Sequence, residues 1–170
     1  MRIFLIGFMG SGKTSNGKRL AKMLGLDFYD TDILFEEKYH ISVKDFFYKY
    51  DEDLFRKLER EILRESFSYN NALISTGGGT PCFFDNMKKI NQHGLSVYLK
   101  LDPKSLAHRL YHSKKKRPLI PKDDMDYCSD FVNKTLQKRE VFYLQSHLII
   151  QGENLKIKNT AQNILAALEH

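Results

Sequence analysis

The stretch Arg2-Ile3-Phe4-Leu5-Ile6-Gly7-Phe8-Met9-Gly10-Ser11-Gly12-Lys13-Thr14 passes from an apolar, β-favouring run through glycines into a helical pattern that starts at Lys13 and stops at Gly25. Gly7 to Thr14 fit G-x-x-x-x-G-K-[ST], directly after a strand and at the opening of a helix, which is the context that motif requires. Its glycines let consecutive backbone N–H groups turn inward on phosphate oxygens, and the helix start adds the positive end of its dipole. Gly10, Ser11, Gly12, Lys13, Thr14 and Ser15 are therefore expected to hold a nucleotide triphosphate. Lys13 would reach the β- and γ-phosphates, and Thr14 would offer its hydroxyl to Mg²⁺.

Outward from this loop, short apolar runs at Phe28-Tyr29, Leu73-Ile74-Ser75, Val97-Tyr98-Leu99 and Leu148-Ile149-Ile150 alternate with helical patterns. The helices are predicted at about 31–39, 43–49, 51–68, 85–92, 103–111, 127–145 and 157–168. Such alternation predicts an α/β fold with a parallel sheet and helices on both faces. The length of 170 residues suits one domain over 1–170, and 42% hydrophobic with 28% charged residues excludes a disordered chain. No run approaches the roughly 18 apolar residues of a membrane span. Cys82 and Cys128 lack metal-type spacing and read as free thiols, so a cytoplasmic protein is expected. The net charge of +6 includes the contiguous Lys114, Lys115, Lys116 and Arg117, a surplus that suits a polyanionic ligand such as ATP as well as nucleic acid.

Asp30 and Asp32 follow the second strand two residues apart, and extended backbone would send both side chains to one side. One can then face metal and the other substrate, beside the phosphate loop where open α/β sheets bind ligands. Asp32 either orients the attacking hydroxyl or caps the helix beginning near Ile33. On the 51–68 helix, Leu54, Phe55, Leu58, Ile62, Leu63 and Phe67 form an apolar arc that also contains Arg56 and Glu59, a pair able to bond. On the 127–145 helix, Arg139 projects among Cys128, Phe131, Val132, Leu136, Phe142 and Tyr143. An inward guanidinium needs an anion, and its planar fork matches a carboxylate, so the two arginines suggest either a clamp on an acidic substrate or structural ion pairs. Gly77-Gly78-Gly79, after the third strand, permits close backbone approach of a ligand. The segment His112 to Asp126, rich in charge and containing Pro118 and Pro121, reads as a mobile lid over about 112–124, with Arg117 able to swing over the triphosphate.

Gly7 to Thr14, Asp30-Thr31-Asp32, Phe55-Arg56, Gly77-Gly78-Gly79, Arg117-Pro118-Leu119 and Lys138-Arg139 together resemble the shikimate kinase family in order and spacing. The resemblance implies a P-loop kinase of the nucleoside monophosphate kinase type, with a five-stranded parallel sheet in order 2-3-1-4-5 and a substrate-binding helical part at about 31–62. It implies ATP-dependent phosphorylation of the 3-hydroxyl of shikimate, in aromatic amino-acid biosynthesis. A monomer that binds neither nucleic acid nor membrane is expected. Asp32 would meet the substrate hydroxyls, Arg56 and Arg139 its carboxylate, and Gly77, Gly78 and Gly79 would touch it through backbone. Asp30 would help hold Mg²⁺, Arg117 would reach ATP, and Arg109 would flank the adenine. Val141-Phe142-Tyr143 stands where the family has a proline before Leu-Tyr, and Gln151-Gly152-Glu153-Asn154 lacks the proline of the adenine pocket. Gluconate kinase and a non-catalytic nucleotide- or nucleic-acid-binding module are the competing readings.

Overall fold

The computed structural model describes residues 1–113 and 124–169. The chain runs β1 (Arg2–Ile6), α1 (Lys13–Leu24), β2 (Asp27–Asp30), α2 (Thr31–Tyr39), α3 (Val43–Lys49), α4 (Glu52–Ser66), β3 (Ala72–Ser75), a 3₁₀ turn at Thr80–Cys82, α5 (Asn86–His93), β4 (Leu95–Lys100), α6 (Pro103–Tyr111), α7 (Met125–Tyr143), β5 (Leu148–Gln151) and α8 (Ile157–Leu168). The five strands form one parallel sheet in the order β2-β3-β1-β4-β5.

Strand alternation divides the core in two. Ile3 and Leu5 of β1 point to a layer completed by Leu20 and Ala21 of α1 and Ala161 and Ile164 of α8. Phe4 and Ile6 point the other way, to Met87 and Ile90 of α5, Leu106 and Leu110 of α6, and Val132, Leu136 and Tyr143 of α7. Both faces are covered, as a parallel sheet requires. A third cluster, Phe35, Phe46, Phe55 and Ile62, joins α2, α3 and α4. Its rings meet at centroid distances from 5.1 to 6.0 Å, within the range of favourable aromatic pairs.

Register brings the chemistry together. Leu5 pairs with Ser75 on one side and Val97 on the other, and Asp30 pairs with Ser75. The carboxyl ends of β1, β2 and β3 therefore open at one level, and the loops after them face one another. Thr76 fastens this junction by donating from both its N–H and its hydroxyl to Leu5 O, each at 3.1 Å.

The expected helices all form, those at 31–39, 43–49, 103–111 and 157–168 with the expected ends and the other three with ends shifted by one or two residues. The helix predicted over 127–145 runs from Met125 to Tyr143 because Asp124 caps it, accepting from the N–H groups of Asp126 and Tyr127. The helix predicted over 31–39 starts at Thr31, and its cap is Asp30, not Asp32, with the Asp30 carboxylate accepting from Asp32 N. This corrects the extended geometry expected of Asp30 and Asp32: the first ends β2, and the second already lies in the first turn of α2. Leu54, expected on the apolar arc, is exposed in the first turn of α4, and Phe142 is half-buried.

Candidate active site

The phosphate loop takes the shape its glycines allow. Gly10 and Gly12 have φ of 81° and 88°, left-handed values that residues with a Cβ rarely adopt. A Cβ on Gly12 would also come within 2.9 Å of the Asn16 amide. Lys13 is buried and donates through Nζ to Gly7 O at 2.8 Å and Phe8 O at 2.9 Å, so its ammonium sits at the mouth of the loop it is expected to serve. Ser11 Oγ is buried with no hydrogen-bond partner. Ser15 Oγ donates to Gly12 O. Arg109 Nη1 reaches Gly10 O from α6 at 3.5 Å, which puts this cation over the loop. Lys114 to Arg117, with the lid expected at about 112–124, lie almost wholly outside the described residues, Arg117 among them.

Thr14 Oγ1 donates to Asp30 Oδ2 at 2.7 Å, and the other oxygen of that carboxylate accepts from Asp32 N at 3.1 Å. Asp30 is thus cap and loop partner at once. A hydroxyl and a carboxylate in contact at a helix N-terminus are hard oxygen donors of the kind Mg²⁺ takes beside phosphate. Three-carboxylate or His/Cys metal clusters are absent among the described residues.

At the opposite end, Arg56 is 7% exposed and held by two carboxylates, with one N–H of each terminal nitrogen left to the cleft. Its Nη1 donates to Glu59 Oε2 at 2.8 Å, while Nε and Nη2 donate to Glu52 Oε1 at 3.1 and 3.0 Å. The guanidinium stacks 4.2 Å from the centre of the Phe83 ring. Burial works against its charge, but the Glu59 and Glu52 carboxylates more than offset that, and its pKa is raised. The second oxygen of Glu59 accepts from Thr80 Oγ1 at 2.6 Å, so the pair is tied to the loop after β3. Gly79 lies against the guanidinium so closely that a Cβ there would fall 2.6 Å from Arg56 Nη1.

Arg139 is partly buried and has no ion pair with an acid among the described residues. Its Nη1 is shut off from solvent and has no hydrogen-bond partner. The guanidinium stands 5.8 Å from the centre of the Phe8 ring. Burial pushes the Cys82 thiol up to about 11, and the charges of Arg139 and then Arg56 oppose that rise.

These groups share one cleft of about 960 Å³, whose lining includes Lys13, Thr14, Asp30, Asp32, Arg56 and Arg139. Gly77, Gly78 and Gly79 form part of its wall. The residues singled out within the described chain line this cleft except Ser11, buried in the loop, and Arg109, which reaches the loop at Gly10 O. Two hydrogen bonds of the glycine wall had no signal in the sequence. Thr31 Oγ1 accepts from Gly77 N at 2.9 Å, and the Tyr143 hydroxyl donates to Gly78 O at 2.5 Å. Thr31 read only as the spacer between two aspartates, and Tyr143 only as core.

A phosphate loop at the switch point of a parallel sheet, joined by one cleft to a cationic, glycine-walled chamber, defines a P-loop phosphotransferase acting on a small anionic acceptor. The model of the shikimate kinase family matches residues 9–169. The chain is 42% identical to the shikimate kinase of Phocaeicola vulgatus over 161 residues, covering 95% of this chain and 92% of that protein. It superposes with a TM-score of 0.92 on the crystal structure of shikimate kinase from Bacteroides thetaiotaomicron, at 40% identity and covering 100% and 99% of the two chains. For shikimate kinase from Acinetobacter baumannii in complex with shikimate, the TM-score is 0.87 at 31% identity, covering 98% and 92%. The chain belongs to the shikimate kinase family and is accordingly an ATP-dependent kinase, a transferase. Among the described residues, no helix is long and apolar enough to cross a membrane.

Proposed function

We propose that this protein transfers the γ-phosphoryl group of ATP to the 3-hydroxyl of shikimate, giving shikimate 3-phosphate and ADP, and so serves aromatic amino-acid biosynthesis. The observation that carries the substrate's charge is Arg139 Nη1, a buried cationic donor without a partner in the cleft that Lys13 also lines. A carboxylate guest supplies the acceptor this nitrogen lacks, and a buried donor left without one costs about 1 to 3 kcal/mol. Arg56, held rigid by Glu52 and Glu59, presents the second edge of the clamp, and the backbone of Gly77, Gly78 and Gly79 lies against the bound ring.

With the acid fixed at that end, the acceptor hydroxyl is directed toward Asp32 and the phosphate loop. Its oxygen bonds to the γ-phosphorus as the bridging P–O bond to ADP breaks, and its proton passes to the Asp32 carboxylate. The Gly10 to Ser15 loop and Lys13 hold the nucleotide and gather the negative charge that shifts toward the bridging oxygen. Arg109 flanks the nucleotide from α6, and Arg117 is assigned to the same charge. Thr14 and Asp30 are the residues that would hold Mg²⁺, which when bound neutralises and orients the β- and γ-phosphates. On this reading the partners are two small molecules, and the chain works as a cytoplasmic monomer, without nucleic acid.

The test is ADP release measured by a coupled assay across a panel of hydroxy acids. Turnover is expected with shikimate and Mg²⁺ together, and none when either is left out. Gluconate turned over as fast as shikimate would defeat the assignment.

A further inference from the structure

The glycine wall is held from behind by its carbonyls. Gly77 O accepts from Thr80 N at 3.2 Å, and Gly78 O accepts from the Tyr143 hydroxyl at 2.5 Å. No peptide bond among the described residues is cis. In a trans peptide the N–H points away from the C=O of the same plane. Drawing the Gly78 carbonyl to α7 therefore turns the Gly79 N–H to the opposite edge of that plane. Gly79 is buried, lines the cleft and touches Arg56, yet its N–H donates to no acceptor among the described residues. A buried amide in that state costs about 1 to 3 kcal/mol unless a ligand supplies the acceptor.

Tyr143 is itself completely buried, at the last residue of α7 and one turn beyond Arg139. Its ring packs on Tyr98 at a centroid distance of 5.2 Å. Burial pushes its pKa up, so the hydroxyl stays a proton donor at any working pH. Packing alone would be met as well by phenylalanine; the oxygen reaches the glycine loop and also faces the Arg139 and Cys82 side chains. From the other side, Thr31 holds Gly77 through its N–H and leaves the Gly78–Gly79 plane to Tyr143.

We propose that Tyr143 is a positioning residue for the acceptor: by donating to Gly78 O it aims the Gly79 N–H at the acceptor's carboxylate and ties that donor to the helix carrying Arg139. This deepens the function proposed above and rests on it. The two arginines and the Gly79 amide then form one three-sided carboxylate site, of which Tyr143 sets the third side without touching substrate.

The test is Tyr143→Phe, compared with the natural protein by steady-state kinetics in both substrates, by melting temperature, and by amide spectra of ¹⁵N-glycine-labelled protein. The expected result is a KM for shikimate raised about tenfold, the size of one lost hydrogen bond, with the KM for ATP and kcat within about twofold. Without any ligand, the Gly79 amide resonance should move further than those of Gly10 and Gly12. An unchanged KM for shikimate overturns the proposal. So does a rise shared equally by both substrates along with a lower melting temperature, which marks a purely structural tyrosine. Should the natural protein fail to use shikimate, the functional assignment falls, and the Gly79 resonance by itself decides whether Tyr143 orients that amide.

Discussion

Arg56 and Arg139 face one cleft and carry the same charge, but the protein prepares them in opposite ways. Arg56 on α4 is met by two carboxylates and an aromatic face, and every bond it makes is supplied by its own helix or the adjoining loop. Arg139 on α7 has no ion pair with a protein acid among the described residues, and one of its nitrogens is buried with no partner. The first is a fixed wall whose charge is already balanced. The second is a cation waiting for a ligand. A clamp built this way has one rigid jaw that sets geometry and one unsatisfied jaw that supplies attraction.

The comparison is tested most severely by removing each jaw. Arg56→Ala leaves Glu59 buried and unpaired, and breaking a buried pair typically costs about 3 to 5 kcal/mol. Its melting temperature should fall by roughly 10 °C, on a scale of about 2 to 4 °C per kcal/mol for a chain of this size. A stable Arg56→Ala variant would show that the two carboxylates do not depend on the guanidinium.

Arg139→Ala should melt no lower than the natural protein, since it takes away a group the fold has not satisfied. Its KM for shikimate should rise about 100-fold, as expected for losing a charge-assisted bond of about 1.5 to 3 kcal/mol, with the KM for ATP nearly unchanged. Equal effects on both substrates would put Arg139 at the nucleotide and not at the acceptor.

The smallest effect is read at Cys82, between the two jaws. Its alkylation rate should keep climbing with pH toward about 11, where burial has moved the thiol, instead of levelling near 9. Both arginines lower that pKa, Arg139 more than the neutralised Arg56. Arg139→Ala should therefore slow alkylation at fixed pH more than Arg56→Ala does. The reverse order would mean that Arg56 carries the freer charge.

Much of this site is legible in the linear chain because its signals are local. The phosphate loop is contiguous, and its glycines are required by the backbone path of the loop itself. The inward placement of Arg56 and Arg139 follows from helical periodicity, as does the proximity of Glu59, three residues on and one turn away. The Asp30 and Asp32 pair is visible as a pair, but its geometry is not, because a cap ends the strand at Asp30, two residues earlier than alternation implies. The Tyr143 bond to Gly78, across 65 positions, left no trace in spacing.

By itself, the sequence determined the strand–loop–helix start, the α/β layering, the cationic faces of two helices and, through its resemblance to a family, the reaction. Only the tertiary structure decided which of the two arginines is neutralised and which is left waiting, and what aims the glycine amides. The reason is physical. A helix face is set by residues three and four apart, whereas the electrostatic state of a group on that face depends on what packs opposite it, and those partners come from strands and helices far along the chain.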